Sequence, residues 1–316
     1  MAGDVLVLAT EAGGDGLSRA ALEAIGVGVR LAAELGGTLS VAAPTGAAVV
    51  AAQYGADRVY TFDTGADMLA VSAEAARNLG ARVVVVNRGA VGLDVVPRLA
   101  ARLGGGCVLG VTDVSVVGDD IEAVAAIYGG AARAAYRFSG SGPRIVSLAP
   151  GAGEPPVRET GRGAEVTHLE PAGDTRVRVV EPAKAAEGPR LEDAPVVVSG
   201  GRGLRDGENY GLIRELAAAL GGMPGASRAI VDDSWAKPVE QVGLTGKIVT
   251  PDLYFAIGIS GASQHMAGCS NARTIVAINT DAAAPIFRYA HFGIVGDCLE
   301  LLPALIRLAK ERAAAD

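Results

Sequence analysis

Hydrophobic positions along the chain alternate between two periods. Short, mostly apolar runs at Val5–Ala9, Leu39–Ala43, Val83–Asn87 and Ile145–Ala149 have the length and composition of strands buried on both faces. From Leu17 to Leu35 apolar residues recur at helical spacing, and Gly36-Gly37 supplies the stop. Strands separated by helices of this length are βαβ units, which imply a mainly parallel sheet with helices on both faces.

Residues 150–195 break the rhythm. "PGAGEPPVRETGRG" and "EPAKAAEGPRLEDAP" are dense in Pro, Gly and charge, whereas "AEVTHLEP" and "TRVRVVEP" between them alternate like half-exposed strands. These should be edge strands finishing a first domain, followed by a linker near residues 184–194. From Pro195 the pattern restarts. Strands are expected at Val196–Ser199, Ala229–Val231, Leu253–Ile259, Thr274–Asn279 and Ile294–Asp297. A helix over Tyr210–Leu220 stops at Gly221-Gly222. A closing amphipathic helix, Cys298–Arg312, carries Leu299, Leu302, Leu305, Ile306 and Ala309 on one side and Pro303 in its first turns. The expected fold class is α/β, with two doubly wound, mainly parallel-sheet domains at residues 1–190 and 191–316, the second Rossmann-like.

Composition narrows the function. A chain of 316 residues, half of them hydrophobic, can build two cores, and with aromatics at 4% those cores must be Val, Ala, Leu and Ile. A net charge of −7 argues against nucleic-acid binding, which rests on Lys and Arg neutralising phosphates. Cys107, Cys269 and Cys298 include no Cys-x-x-Cys, so no disulfide framework, zinc site or iron–sulfur centre is expected. His168, His265 and His291 lack ligand spacing, so no metal is expected. No apolar run reaches the roughly 18 residues of a membrane span, and no leader-like segment precedes Val5. The expectation is a soluble, cytoplasmic protein with no membrane insertion.

Ligands in open α/β sheets bind beyond the carboxyl ends of the strands. Here those ends carry Ser199-Gly-Gly-Arg202-Gly203, then "GISGASQH" from Gly258 to His265, then Asn279 with Asp281, then Gly296-Asp297. The small residues after Ile257 fit a nucleophile turn, a phosphate cradle or a tight bend. A Gly-x-Ser-x-Gly elbow around Ser260 lacks its last glycine, since Ala262 stands there, and Asp281 and His291 complete a hydrolase triad only on paper. Gly201-Arg-Gly203-Leu-Arg-Asp206 lacks the third glycine of a dinucleotide fingerprint, and no P-loop is present. The residues favour a nucleotide-type cofactor across the sheet ends of the second domain, held in part by amides of the helix after "GISGAS", with no covalent catalyst.

Several stretches together resemble the alpha subunit of electron transfer flavoprotein: "VVSGGRG" (197–203), "GASRAIVD" (225–232), "QVGLTGKIVTPDLYFAIGISGASQHMAG" (241–268), "TIVAIN" (274–279), "APIF" (284–287) and "GIVGD" (293–297). A weaker similarity runs through "DVVPRLAARLG" (94–104), "VTDV" (111–114) and "IYGGAARA" (127–134). The resemblance implies an FAD-binding C-terminal domain and a partner-facing N-terminal one. It implies a heterodimer with a beta subunit, which carries an AMP. Electrons would come from flavin dehydrogenases, such as the acyl-CoA dehydrogenases of fatty acid beta-oxidation, and pass to a membrane quinone oxidoreductase. Such a protein is a redox carrier rather than an enzyme with its own substrate. Related alpha subunits of nitrogen-fixation and bifurcating systems route electrons differently.

Carried onto this sequence, the resemblance puts Arg202 at the FAD phosphates and Ser227 and Arg228 at the flavin, the arginine over the ring. Gln241, Val242, Gly243, Leu244 and Thr245 form the loop approaching the flavin, with Thr245 near N5 and Leu244 where the family often has Gln. Gly258, Ser260, Gly261, Ala262, Ser263, Gln264 and His265 wrap the pyrophosphate and ring edge, Gln264 and His265 on the O2 side. Asn279, Asp297 and Cys298, the last where Leu is usual, lie toward the adenosine end. Arg228, His265 and Thr245 are the expected redox-tuning residues, because a nearby cation and hydrogen bonds favour extra negative charge on the ring. Ser227 and Arg228 rest on the resemblance alone, since they stand before the strand expected at Ala229–Val231.

Overall fold

Val5 and Val7 point into one core and Leu6 and Leu8 into another, as the two-residue period of a strand with both faces covered requires. This strand, β1 (Val5–Leu8), is central to the first of two compact units, Met1–Glu187 and Gly188–Asp316. The structure is a computed structural model, and it describes residues 3–11, 13, 16–63, 65–87, 89–128, 132–170 and 190–313.

In the first unit, β1 is joined by β2 (Leu39–Pro44), β3 (Arg58–Phe62), β4 (Val83–Val86), β5 (Gly106–Val117), β6 (Asp120–Ile127), β7 (Ala132–Arg137), β8 (Arg144–Leu148) and β9 (Glu165–His168) in one sheet of order β7-β6-β5-β8-β4-β1-β2-β3-β9. Only the β5–β6 and β6–β7 pairings are antiparallel. The sheet is flanked by α1 (Arg19–Leu35), α2 (Ala48–Gln53), α3 (Met68–Leu79) and α4 (Ala90–Leu103). Helix α1 starts where Ser18 Oγ accepts from the Ala21 amide and stops at Gly36, whose φ of 64° is left-handed. The strand expected from "AEVTHLEP" is β9, an edge strand parallel to β3, but all four of its residues are exposed rather than alternating. The expected strand in "TRVRVVEP" and most of the expected linker lie outside the described residues. The linker's last residues need correction: Leu191–Asp193 form a 3-10 turn whose Leu191 is buried in the second unit's core.

The second unit holds β10 (Val196–Gly200), β11 (Met223–Ala226), β12 (Leu253–Ile257), β13 (Thr274–Asn279) and β14 (Phe292–Val295), all parallel, in the order β11-β10-β12-β13-β14. Helices α5 (Tyr210–Ala219) and α8 (Cys298–Ala313) pack Ile213, Leu216, Leu302 and Ile306 against Val198, Ile257 and Ile278 on one face. The other face is covered by the stretch bearing Val242 and Val249 and by a one-turn helix, α7 (Ser263–Met266).

The strand expected at Ala229–Val231 is instead a short helix, α6 (Arg228–Asp232), and the strand lies earlier, at Met223-Pro-Gly-Ala226. Pro224 is tolerated because β11 is an edge strand. Gly225 is required because a Cβ there would collide with Ser199 Oγ. The chain runs from β10 to β11 on one side and then crosses to β12 on the other. The carboxyl ends of β10 and β12 therefore form the topological switch point of the sheet, where ligands of open α/β folds bind.

Candidate functional site

At this switch point the main chains of two loops touch. Gly203 donates its N–H to the Gly258 carbonyl at 3.0 Å, and Gly201 donates to the Ile257 carbonyl at 2.9 Å. Gly258 has a φ of +62°, and a Cβ on it would lie 2.7 Å from Gly203 Cα. Gly261 has a φ of +82° and abuts the backbone of Ile286. Both positions thus need glycine for a left-handed turn and for close backbone packing. The tight bend is real, and it shapes the cavity beside it.

That cavity has a volume of about 350 Å³. Its walls are the exit of β10 (Gly201, Arg202), the exit of β11 (Ser227, Arg228, Ala229), the exit of β12 (Gly258, Ile259, Ser260, Ala262) and His265 of α7. Of the residues expected from the sequence, Arg202, Ser227, Arg228, Gly258, Ser260, Ala262 and His265 are brought together here. Gly201 and Ile259 lie within the expected strand-end stretches, and Ala229, expected inside a strand, is new. Ser227 and Arg228 directly follow β11, and the Ser227 amide donates to the Gly200 carbonyl at 2.9 Å. The strand-end rule does find them once the strand is moved to 223–226, but Met-Pro-Gly-Ala carries no apolar period to mark it.

His265 is buried, and its Nε2 lies 2.9 Å from Oη of the fully buried Tyr254. Burial, only partly offset by the Val242 backbone, pushes the His265 pKa down to about 4. Burial also pushes the Tyr254 hydroxyl well above its ordinary range. A neutral imidazole therefore faces a protonated phenol. With the Tyr254 O–H donating to Nε2, the ring proton sits on Nδ1, which is buried and lacks a well-formed hydrogen bond. The site thus holds a neutral, buried imidazole whose Nδ1 has at most a poorly formed contact with the Val242 backbone.

Both arginines on the walls are about two-thirds exposed and ion-paired, Arg202 with Asp233 at 3.0 Å and Arg228 with Asp232 at 3.4 Å. The loop from Gln241 to Thr245 runs alongside rather than lining the cavity. Val242 N donates to the Ala226 carbonyl, and Leu244 N donates to the Gln264 carbonyl at 2.7 Å, so the loop ties the end of β11 to α7. Gly243 packs on the same turn, where a Cβ on it would lie 3.0 Å from the Gln264 carbonyl oxygen. Gln241 Nε2 donates to Thr245 Oγ1 at 3.0 Å, which orients that hydroxyl. Gln264 is exposed and accepts from Ser263 Oγ at 3.3 Å.

Asn279, Asp297 and Cys298 do not reach the cavity walls. Asn279 clasps the exits of β12 and β13, donating to the Ile259 carbonyl and accepting from the Asp281 amide, both at 3.0 Å. Asp297 caps α8 through the Leu299 amide and pairs with Arg205, and these two contacts hold its carboxyl below the usual range. Cys298 Sγ donates to the Gly203 carbonyl at 3.4 Å. Arg205, at a φ of +66°, joins the exits of β10 and β14 through Asp297, a link that no local pattern in the sequence marks.

The hydrolase triad is absent. His291 Nδ1 accepts from the Ile275 amide at the amino end of β13, the end of the sheet away from Ser260. Among the described residues no cluster of His, Cys, Asp and Glu could hold a metal ion, and no helix is long and apolar enough to cross a membrane.

Comparison with known proteins identifies related sequences. Residues 190–270 match the family model described as the electron transfer flavoprotein FAD-binding domain, and residues 5–174 match the electron transfer flavoprotein domain. The chain is 38% identical over 271 residues to the electron transfer flavoprotein subunit alpha of Thermoanaerobacterium thermosaccharolyticum, covering 82% of each chain. It is 40% identical over 231 residues to the Bacillus subtilis electron transfer flavoprotein subunit alpha, covering 72% of this chain and 70% of the relative. It is 36% identical over 317 residues to Protein FixB of Clostridium saccharobutylicum, covering 95% and 94%.

Proposed function

This chain belongs to the electron transfer flavoprotein alpha-subunit family, and from that premise we propose that it is the FAD-holding subunit of a heterodimeric electron carrier. A beta subunit, carrying AMP, completes the heterodimer. Flavin dehydrogenases such as acyl-CoA dehydrogenases are the donors, and a membrane quinone oxidoreductase is the acceptor.

The observation that carries this reading is a switch-point cavity walled by two arginines and by His265, whose buried Nδ1 lacks a well-formed hydrogen bond. A buried donor without an acceptor is costly, about 1–3 kcal/mol, and a flavin's ring carbonyls and ring nitrogens are acceptors. A diphosphate suits Arg202 and Ser260, which also line the cavity. Bound there, FAD would supply reversible one-electron chemistry that no side chain of the protein provides.

The protein's own part is to bind, orient and polarise. Tyr254 fixes His265, which presents a neutral donor. Arg228 adds positive charge. Gln241 holds the Thr245 hydroxyl. Gly243 and Leu244 brace α7 through backbone contacts, so the departure from Gln at 244 leaves that brace intact.

The test is co-production with the beta subunit, followed by denaturation and release of bound flavin. The expected result is one FAD per heterodimer, lost or markedly reduced in the Arg202→Ala/His265→Leu double variant. A heterodimer free of flavin, or one whose FAD content that variant leaves unchanged, contradicts the proposal.

A further inference from the structure

Two consecutive aspartates end the segment after β11, and each engages one of the two arginines on the cavity walls. Arg228 pairs with Asp232 four residues on in the same short helix, an ordinary local contact. Arg202 is different. It comes from the exit of another strand, 31 residues away, and Asp233 takes it at two points: Nε donates to Oδ2 at 3.0 Å, and Nη2 donates to Oδ1 at 3.4 Å.

An exposed ion pair of this kind adds little to stability, so its consequence lies elsewhere. A guanidinium carries five N–H donors in a rigid plane. Asp233 grips the Nε–Nη2 edge, and the remaining donors on Nη1 and Nη2 form a second edge that a phosphate can take end-on. An arginine held from behind meets an anion without first losing the rotamer freedom of its long side chain. The carboxylate beside an anion-binding cavity is tolerable because its charge is matched by the arginine it holds.

We propose that Asp233 is a positioning residue for cofactor binding. It anchors Arg202 across the exits of β10 and β11 so that the free guanidinium edge is presented to the diphosphate of the dinucleotide. The proposal rests on the reading of the cavity as the FAD site.

The experiment is a double-mutant cycle on the alpha–beta heterodimer. The dissociation constant for FAD is measured after flavin removal for the wild type, Arg202→Ala, Asp233→Ala, Asp233→Asn and the Arg202→Ala/Asp233→Ala double variant. Riboflavin, which lacks the diphosphate, is measured alongside. Asp233→Ala is expected to weaken FAD about five- to tenfold, the cost of immobilising one long side chain. Asp233→Asn, which keeps one acceptor, is expected to weaken it less. The double variant should be no weaker than Arg202→Ala alone, and riboflavin affinity should be the same throughout. A purely structural role for Asp233 would lower FAD and riboflavin affinity together and add to the Arg202→Ala loss, which overturns the proposal. FAD binding as tight as or tighter than wild type in Asp233→Ala, with Arg202→Ala impaired, also overturns it, by making the carboxylate a competitor of the phosphate. No effect of Arg202→Ala on FAD overturns the site reading itself.

Discussion

Tyr254 Oη and His265 Nε2 are 2.9 Å apart inside the core of the second unit, one on a central strand and the other on a one-turn helix at the cavity wall. The pair commits Nε2 to the phenol, and with the phenol O–H donating the ring proton is left on Nδ1. Tyr254→Phe keeps the shape and removes that commitment. The variant should lose about 1–2 kcal/mol of stability, the usual cost of leaving a buried acceptor unpaired, read from urea denaturation. Histidine ¹⁵N spectra should show a Nδ1–H ring at position 265 in the wild type and a mixture of tautomers in the variant. A single, unchanged tautomer would contradict the assignment.

The low His265 pKa fixes the sign of a pH effect. The unfolded chain takes up the ring proton near 6.5, whereas the folded chain resists it until about 4. Stability from this group is therefore complete above about pH 6.5, falls as the pH drops toward 4, and changes no further below that. The loss across this window is about 3 kcal/mol. Comparing urea midpoints at pH 7 and pH 4.5 for the wild type and His265→Asn checks it, since the variant should lack this part of the slope.

Two glycines offer opposite outcomes for the same substitution. Gly258→Ala forces a Cβ onto a φ of +62° and to within 2.7 Å of Gly203 Cα. It should cost about 2–4 kcal/mol, combining the left-handed penalty with overpacking. Gly211→Ala, in α5 with open space around it, should stabilise by up to about 1 kcal/mol. Thermal melts of the two variants decide whether the bend at Gly258 is the rigid feature described here.

Arg228 tests the electrostatic part of the account. Its side chain is 67% exposed, so solvent screens its charge, but removing a cation beside the flavin still disfavours added negative charge. Arg228→Ala should retain FAD and lower the potential for the first electron by about 30–60 mV, up to a tenfold change in that equilibrium. Spectroelectrochemical titration of the heterodimer measures it, and an unchanged potential would remove Arg228 from the redox-tuning set.

The legible parts of this fold were those whose burial is periodic. β10, β12 and β13 announce themselves as apolar runs, and the glycines and polar residues after them mark the ligand end of the sheet. β11 was not legible, because Met223-Pro-Gly-Ala226 answers to edge position and to Ser199 packing against Gly225 rather than to hydrophobic alternation. Misplacing it by a few residues hid Ser227 and Arg228 from the strand-end rule. The β5–β6–β7 meander was hidden for other reasons: β6 buries Ile121, Ala123 and Ala125 in alternation but carries apolar Val124 and Ala126 on its outer face, and β7 is almost wholly exposed. Side-chain partners across the sheet, Tyr254 with His265 and Arg202 with Asp233, belong to the folded topology, and no local pattern encodes them.

The most direct test of the central claim is a structure of the FAD-loaded heterodimer. The account predicts the diphosphate at the touching exits of β10 and β12, beside Arg202 and Ser260, with a flavin acceptor within hydrogen-bond reach of His265 Nδ1. FAD bound elsewhere in the assembly, or a His265 Nδ1 that faces no part of the cofactor, would contradict it.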